Sequence, residues 1–407
     1  METPKGMRDF LPEQMIKREE ALDTIRGTFR EYGFRPLETP AIEKMDVLER
    51  KCGEEIKGQI FRVEDDLGLR FDLTVPLARV VTSGTFQRPF KRYAIGRAWR
   101  KEEPQKGRLR EFWQADIDII GTKGMEAEAE LLSCASECLR RMGFKQFRIR
   151  VNNRKILSGL MNTLRIKDET ALFRIIDKLD KRGESFVREE LEKILKKEQV
   201  EEIFSFMLGR GRDEEKLSLA SKYDKEGADE LRDLLVYGKE YGLSLDIDFS
   251  LVRGLDYYTG PVFEISISKE IGSVAGGGRY DGLLSLYGQG DYATGISLGI
   301  ERLMALMEKG EKQTLTTAYV APIKEEFYSY GVEVVKELRD KGIRAEIDLN
   351  KRNLRKQLDY TNALSIPFVL IVGEKEKKEK KVTLRDMKSG KESLLSIAEA
   401  IKEIKRQ

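Results

Sequence analysis

Apolar and polar positions alternate with two different periods along this chain. Residues 13–32 set Met15, Ile16, Ala21, Leu22, Ile25 and Phe29 among charged positions at helical spacing, and Gly33 follows as a C-cap. Residues 37–42 read as extended, interrupted by Pro40. Short strands are predicted at 60–63 and 69–73 around a turn at 65–68, then a short helix at 75–82 with Pro76 in its first turn. Two longer strands, 92–100 and 110–120, are joined by a polar loop. A helix at 125–142 ends at Gly143, and a strand follows at 146–151.

Between 165 and 240 the pattern becomes helical and rich in Lys, Glu, Leu and Ile, which marks a separate helical insertion. Strand signals return at 244–249 and 257–268, followed by the glycine cluster Gly276–Gly278. Residues 294–298 lead into a helix at 300–308. A charged linker precedes a last alternation: strands at 318–322, 344–348, 368–372 and 381–386, helices at 325–341, 354–364 and 394–405. That is an α/β domain of its own. The charged run 375–381 reads as a solvated loop.

Composition narrows the chemistry. A length of 407 residues implies two or three domains. The net charge of +3 with 36% charged residues is mostly solvated helix face and argues against a purely electrostatic nucleic-acid coat, while leaving local basic patches at 88–100 and 101–110. No apolar run is long enough to span a membrane, and three cysteines (Cys52, Cys134, Cys138) give no disulfide framework, so a cytoplasmic protein is expected. The chain contains no histidine, which excludes His-dependent nucleophile systems and His-based zinc sites. Catalysis must then rest on positioning and on placed charge.

Three places could carry it. On strand 110–120, period-2 alternation puts Arg110, Phe112, Gln114, Asp116 and Asp118 on one face, opposite Glu111, Trp113, Ala115, Ile117 and Ile119. A ring beside an amide and carboxylates suits a base-stacking or amine-binding floor; an ordinary strand with one wet face is the plainer reading. The same alternation pairs Asp72 with Thr74. The loop cations Arg100, Lys101, Lys106 and Arg108 fit a phosphate-rich ligand or a basic surface loop equally well. In Arg253-Gly254-Leu255-Asp256-Tyr257-Tyr258, Gly254 permits a bend that brings Arg253 and Tyr258 to one side; the alternative is a turn in which Asp256 satisfies Arg253. Gly276–Gly278 permits close approach of backbone to ligand but is not a dinucleotide fingerprint. Arg302 opens a helix after Gly299.

These residues resemble the histidyl-tRNA synthetase family of class II aminoacyl-tRNA synthetases over essentially the full chain. The opening 4–10 is similar to that family's start, and 34–42 with Pro40 resembles motif 1, the dimer-forming element. Arg100-Lys101-Glu102 through Arg110-Glu111-Phe112-Trp113-Gln114 resembles motif 2, and Gly299-Ile300-Glu301-Arg302 resembles motif 3. The stretches 251–258 and 275–282 match the two histidine-specific signatures. Asp72 resembles the archaeal and eukaryotic branch. Lys101 and Trp113 stand where many members have histidine.

The resemblance implies an α+β fold: a class II antiparallel sheet flanked by helices, a helical insertion and a C-terminal α/β anticodon-binding domain. The expected boundaries are 1–160 and 241–310 for the catalytic parts, 161–240 for the insertion that grips the acceptor stem, and 316–407 for the anticodon reader with its basic run 351–356. It implies ATP-dependent attachment of histidine to tRNA(His) through a histidyl-adenylate, with Mg²⁺ accompanying ATP, in a cytoplasmic homodimer. Arg253 and Arg100 would be catalytic. Asp72, Thr74, Gln114, Asp118, Tyr257, Tyr258 and Tyr280 would bind histidine, and Arg100, Glu102, Arg108, Phe112 and Arg302 would bind ATP. The competing readings are an inactive regulatory subunit, as in ATP phosphoribosyltransferase, and a general RNA-binding module.

Overall fold

Strand residues Ala115, Ile117 and Ile119 alternate with Gln114, Asp116 and Asp118, and this one pattern organises the larger half of the molecule. The first set packs against a long helix, while the second faces the opposite side of the sheet. A computed structural model describes residues 2–50, 54–105, 107–209, 211–253, 258–268, 270–307 and 313–406. The chain divides into two units: Met1–Asp9 with Ala21–Met307, and Phe10–Glu20 with Glu308–Gln407.

Among the described residues of the first unit, eight strands form one sheet. In chain order they are β1 (Arg35–Pro36), β2 (Phe90–Trp99), β3 (Glu111–Ile120), β4 (Arg148–Asn153), β5 (Leu245–Ile247), β6 (Pro261–Ser268), β7 (Gly272–Arg279) and β8 (Ala293–Gly299). Their spatial order is β1-β2-β3-β8-β7-β6-β4-β5. The six central strands pair antiparallel, and a short parallel strand closes each edge. Three helices matter to the site: α1 (Thr74–Ser83), α2 (Glu126–Arg141) and α4 (Ile300–Leu306), with α3 (Leu179–Arg182) in the helical stretch. Helix α2 buries Leu131, Leu132, Ala135 and Leu139 against the apolar face of β3. Cys134 and Cys138, one turn apart, are buried there as small core residues. The stretch from Arg154 to Glu240 is helical, and its Leu172, Phe173, Val200 and Leu231 join the same core.

In the second unit, β9 (Ala318–Pro322), β10 (Ala345–Ile347), β11 (Phe368–Val372), β12 (Lys381–Asp386) and β13 (Glu392–Ser396) lie in the order β10-β9-β11-β12-β13. The first three are parallel and the last two antiparallel. Residues of β9 and β11 are buried throughout, as their unbroken apolar runs require.

The structure corrects several readings. Strand 69–73 ends at Leu69, because the Asp72 side chain accepts the N–H groups of Thr74 and Val75 and starts a helix instead. The glycine cluster, given no element from sequence, lies within β7. The charged run after Gly373 is a helix, Glu374–Glu379, with Glu376 accepting the Gly373 N–H. Strand β13 was hidden because the Leu394 and Leu395 pair reads equally as the start of the last helix, which begins at Ile397. Beyond its half-buried first three residues neither face of β3 is wet: Gln114 to Ile120 are all buried, Asp116 and Asp118 included.

Candidate active site

Strands β2 and β3 form a hairpin whose open end carries the first cations. The Arg100 N–H donates to the Arg110 carbonyl at 2.9 Å, closing the base of the loop. The Arg100 Nε donates to the Phe71 carbonyl at 2.9 Å, and its guanidinium lies 5.2 Å from the centre of the Phe112 ring. Glu102 stands between Arg100 at 3.7 Å and Arg108 at 3.5 Å. Two residues beyond Phe112, the Gln114 Nε2 donates to Ser297 Oγ on β8 at 2.8 Å. Its Oε1 is buried with no hydrogen-bond partner among the described residues, which leaves an acceptor for a ligand.

Arg302, in the first turn of α4, donates to the Ser273 carbonyl of β7. Burial lowers its pKa to about 10, helped by the nearby Arg108 and Arg253; it stays cationic at neutral pH. Its neighbour Glu301 accepts the Trp113 N–H at 2.8 Å, which ties α4 to β3. Arg253 pairs with Glu264 of β6. Together Arg100, Glu102, Arg108, Phe112, Gln114, Arg253 and Arg302 line one cleft of about 230 Å³, with Gly276 and Gly299 on its floor. Guanidiniums from three separate elements therefore face one space, an arrangement that suits a polyanion.

A second group lies further along the same face of β3. Arg92, fully buried on β2, pairs with Asp118 at 2.8 Å, and Tyr280 donates its hydroxyl to the same carboxylate. Asp72 and Asp116 complete the cluster, each close enough to feel Arg92. Burial raises all three carboxyls against the pull of Arg92, Asp116 to about 7. Burial and the Asp118 charge push the Tyr280 hydroxyl well above its ordinary value. Gly295, the cross-strand partner of Asp118, is required here: a Cβ on it would meet Asp118 Oδ1 at 2.1 Å. Gly278 has the same role for the Tyr258 ring, 3.0 Å from where its Cβ would stand. Tyr258 packs with Tyr280 in one apolar cluster.

The sequence-derived residues thus fall into two adjoining groups rather than one. Tyr257, with Gly254, Asp256 and the loop Lys106, lies outside the described residues. Two participants were missed, Arg92 and Glu264, and Asp116 was placed on the site face without a role. Each is a charged residue in a strand flanked by apolar positions, and that is the signal that could have marked them.

A family model described as histidyl-tRNA synthetase matches residues 6–303, and one described as an anticodon binding domain matches residues 317–407. The chain is 41% identical to the histidine–tRNA ligase of Aeropyrum pernix, over 99% of this chain and 97% of that protein. It is 38% identical to that of Clostridium tetani, over 98% and 97%. The crystal structure of histidyl-tRNA synthetase from Nostoc sp. PCC 7120 superposes with a TM-score of 0.88 at 31% identity, covering 100% of this chain and 99% of that one. A likeness of fold alone extends to an ATP phosphoribosyltransferase regulatory subunit/histidyl-tRNA synthetase from Bacillus halodurans C, with a TM-score of 0.75 at 24% identity over 88% and 96%.

Proposed function

The chain belongs to the histidyl-tRNA synthetase family, and on that premise we propose that its cleft and the adjoining carboxylate cluster are the ATP and histidine sites of one adenylation centre. The protein is a histidine–tRNA ligase of class II, which joins histidine to tRNA at the expense of ATP. The observation that carries the site assignment is the convergence of Arg100, Arg253 and Arg302 with the Phe112 ring and the open Gln114 carbonyl.

Phe112 and Arg302 hold the adenine between ring and guanidinium. Glu102 and Arg108 contact the rest of the nucleotide. Arg100 and Arg253 lie at the α-phosphate, where they stabilise charge that builds as the histidine carboxylate attacks phosphorus and pyrophosphate leaves. Asp72, Thr74 and Gln114 receive the substrate ammonium and nearby polar atoms. Asp118, with Tyr258, Tyr280 and Tyr257, reads the imidazole: the Asp118 carboxylate, oriented by Arg92 and Tyr280, accepts a ring N–H. The terminal ribose hydroxyl of the tRNA then attacks the carbonyl carbon, and AMP departs. No protein nucleophile takes part, in keeping with a chain that lacks histidine. Glu102 and Glu301 are the cleft carboxylates that could hold a Mg²⁺ accompanying ATP, which would neutralise phosphate oxygens.

The same reading gives the helical stretch 161–240 the acceptor stem and the unit around 316–407 the anticodon. In the basic run 351–356, Lys351 already pairs with Glu325 and Arg352 with Asp348, which leaves Arg355 and Lys356 as the cations for RNA. A homodimer through 34–42 and a cytoplasmic location complete the proposal; no helix among the described residues is long and apolar enough to cross a membrane. ATP–pyrophosphate exchange measured with each amino acid tests the site. Exchange with histidine alone is expected; none with histidine in folded protein refutes it.

A further inference from the structure

Arg253 does not stand alone. Its Nε meets Glu264 Oε2, and the other oxygen of Glu264 accepts from Arg150 Nη2 at 2.6 Å. Glu264 is 1% exposed and lies between those two cations. Arg150 is its direct cross-strand partner on β4. On the other flank, Gly276 of β7 pairs with Glu264 and carries no side chain; a Cβ there would make only ordinary contacts, 3.8 Å from the Phe263 carbonyl and 3.9 Å from Ser273 Oγ.

Arg150 in turn reaches Asp248 at 3.2 Å and Asp180 at 2.8 Å. Burial disfavours its cation, yet the pairs with Asp180 and Glu264 raise its pKa further above its ordinary value. Asp248 follows β5, next to the catalytic sheet. Asp180 belongs to α3, within the helical stretch. A continuous line of opposite charges, Asp180–Arg150–Glu264–Arg253, therefore joins that stretch to a cation in the cleft. Along this line Arg150 is held by Glu264 on β6, Asp248 after β5 and Asp180 on α3, and Arg253 by Glu264, so moving one end shifts where the next charge rests.

We propose that Glu264 and Asp180 are positioning residues for Arg253: Glu264 fixes the guanidinium, and Asp180, through Arg150, makes its placement depend on the position of α3. The inference rests on Arg253 acting at the α-phosphate. Glu264 and Asp180 touch no substrate and act through Arg253. The helical stretch is thereby wired to the first chemical step, and an RNA that displaces α3 alters adenylate formation.

A double-mutant cycle on the full-length protein tests this, with ATP–pyrophosphate exchange as the readout. Glu264→Gln, which keeps the shape and removes the charge, is expected to lower kcat about tenfold while leaving both KM values within about twofold. Asp180→Asn lies at a side chain open to solvent and leaves the fold intact; it is expected to lower kcat about threefold to fivefold. In an Arg253→Ala background, the same Asp180→Asn change is expected to have no further effect. An equal effect of Asp180→Asn in both backgrounds overturns the relay while leaving the role of Arg253 standing. A wild-type rate for Arg253→Ala overturns the role of Arg253 itself, and the relay with it.

Discussion

Arg92 and Asp118 face each other across β2 and β3 at 2.8 Å, and neither side chain reaches solvent. Such a pair is weak evidence for stability, because desolvating both charges offsets most of their attraction. Its position under a candidate substrate pocket points to function. Arg92→Met alone strands a buried carboxylate and is expected to cost roughly 3–5 kcal/mol in denaturant unfolding. The double variant Arg92→Met with Asp118→Leu is expected to regain much of that stability and yet show no histidine-dependent exchange. Retained exchange in the double variant would show that the imidazole is read elsewhere.

Gly295 makes room for that carboxylate, so adding one methyl group should disturb histidine and spare ATP. A Cβ there would stand 2.1 Å from Asp118 Oδ1 and 3.1 Å from the Ile117 carbonyl, and the backbone cannot yield both ways. For Gly295→Ala we expect a loss of about 1–3 kcal/mol in stability from overpacking. The KM for histidine should rise at least about tenfold, with the KM for ATP unchanged. If both rise together, the carboxylate cluster is not the amino-acid side of the site.

Removing the Arg253 guanidinium takes away a donor aimed at developing phosphate charge. Losing one such group costs about 10² to 10³ in rate. Arg253→Ala is therefore expected to slow single-turnover adenylate formation by that much, while tRNA binding measured by filter retention stays within about twofold. Equal loss of both would assign Arg253 to the fold.

The absence of histidine gives a different kind of prediction. An enzyme that charges histidine, with no histidine codon of its own, can be translated when charged tRNA(His) runs out. In a translation extract depleted of histidine, the yield of this chain should stay constant while a version carrying one Lys101→His change falls. Parallel decline of the two would refute the idea.

Much of this was legible in residue order. Alternation on 110–120 placed Gln114 and Asp118 on one face because a strand has a period of two and β3 pairs with both neighbours without a register shift. The motifs also marked Arg100, Phe112 and Arg302, which meet in the cleft although Arg302 lies about two hundred residues from the other two. What stayed hidden is set by pairing between strands distant in sequence. Glu264 becomes the anchor of Arg253 only when β6 pairs with β4 and brings Arg150 beside it. Arg92 acquires its meaning from the register that sets it against Asp118. Asp72 was misplaced for a local reason: its side chain caps a helix, and capping competes with strand extension without altering the apolar pattern.

Asp116 offers the sharpest test of the carboxylate cluster. It is buried, and neither oxygen meets the geometry of a hydrogen bond among the described residues, though the Ser297 hydroxyl is near enough to favour the anion. Arg92 on β2 attracts its charge, as does Arg70, while Asp118 on β3 and Asp72 ahead of α1 repel it. Burial outweighs these attractions and pushes the carboxyl up to about 7. In the unfolded chain the same group ionises near its ordinary value of about 3.9. Between those two pH values the folded protein holds a proton that the unfolded chain has released. The contribution of Asp116 to stability therefore falls as pH rises from about 4 to 7 and is level above that. Asparagine mimics the protonated acid at every pH, so Asp116→Asn removes this dependence. Between pH 5 and 7, the unfolding free energy of the variant should gain on that of the unmutated protein by roughly 2–3 kcal/mol, at 1.36 kcal/mol per unit. Urea unfolding of both proteins across that range measures the gap. A gap that does not widen with pH would mean that Asp116 is already ionised when the pocket is empty.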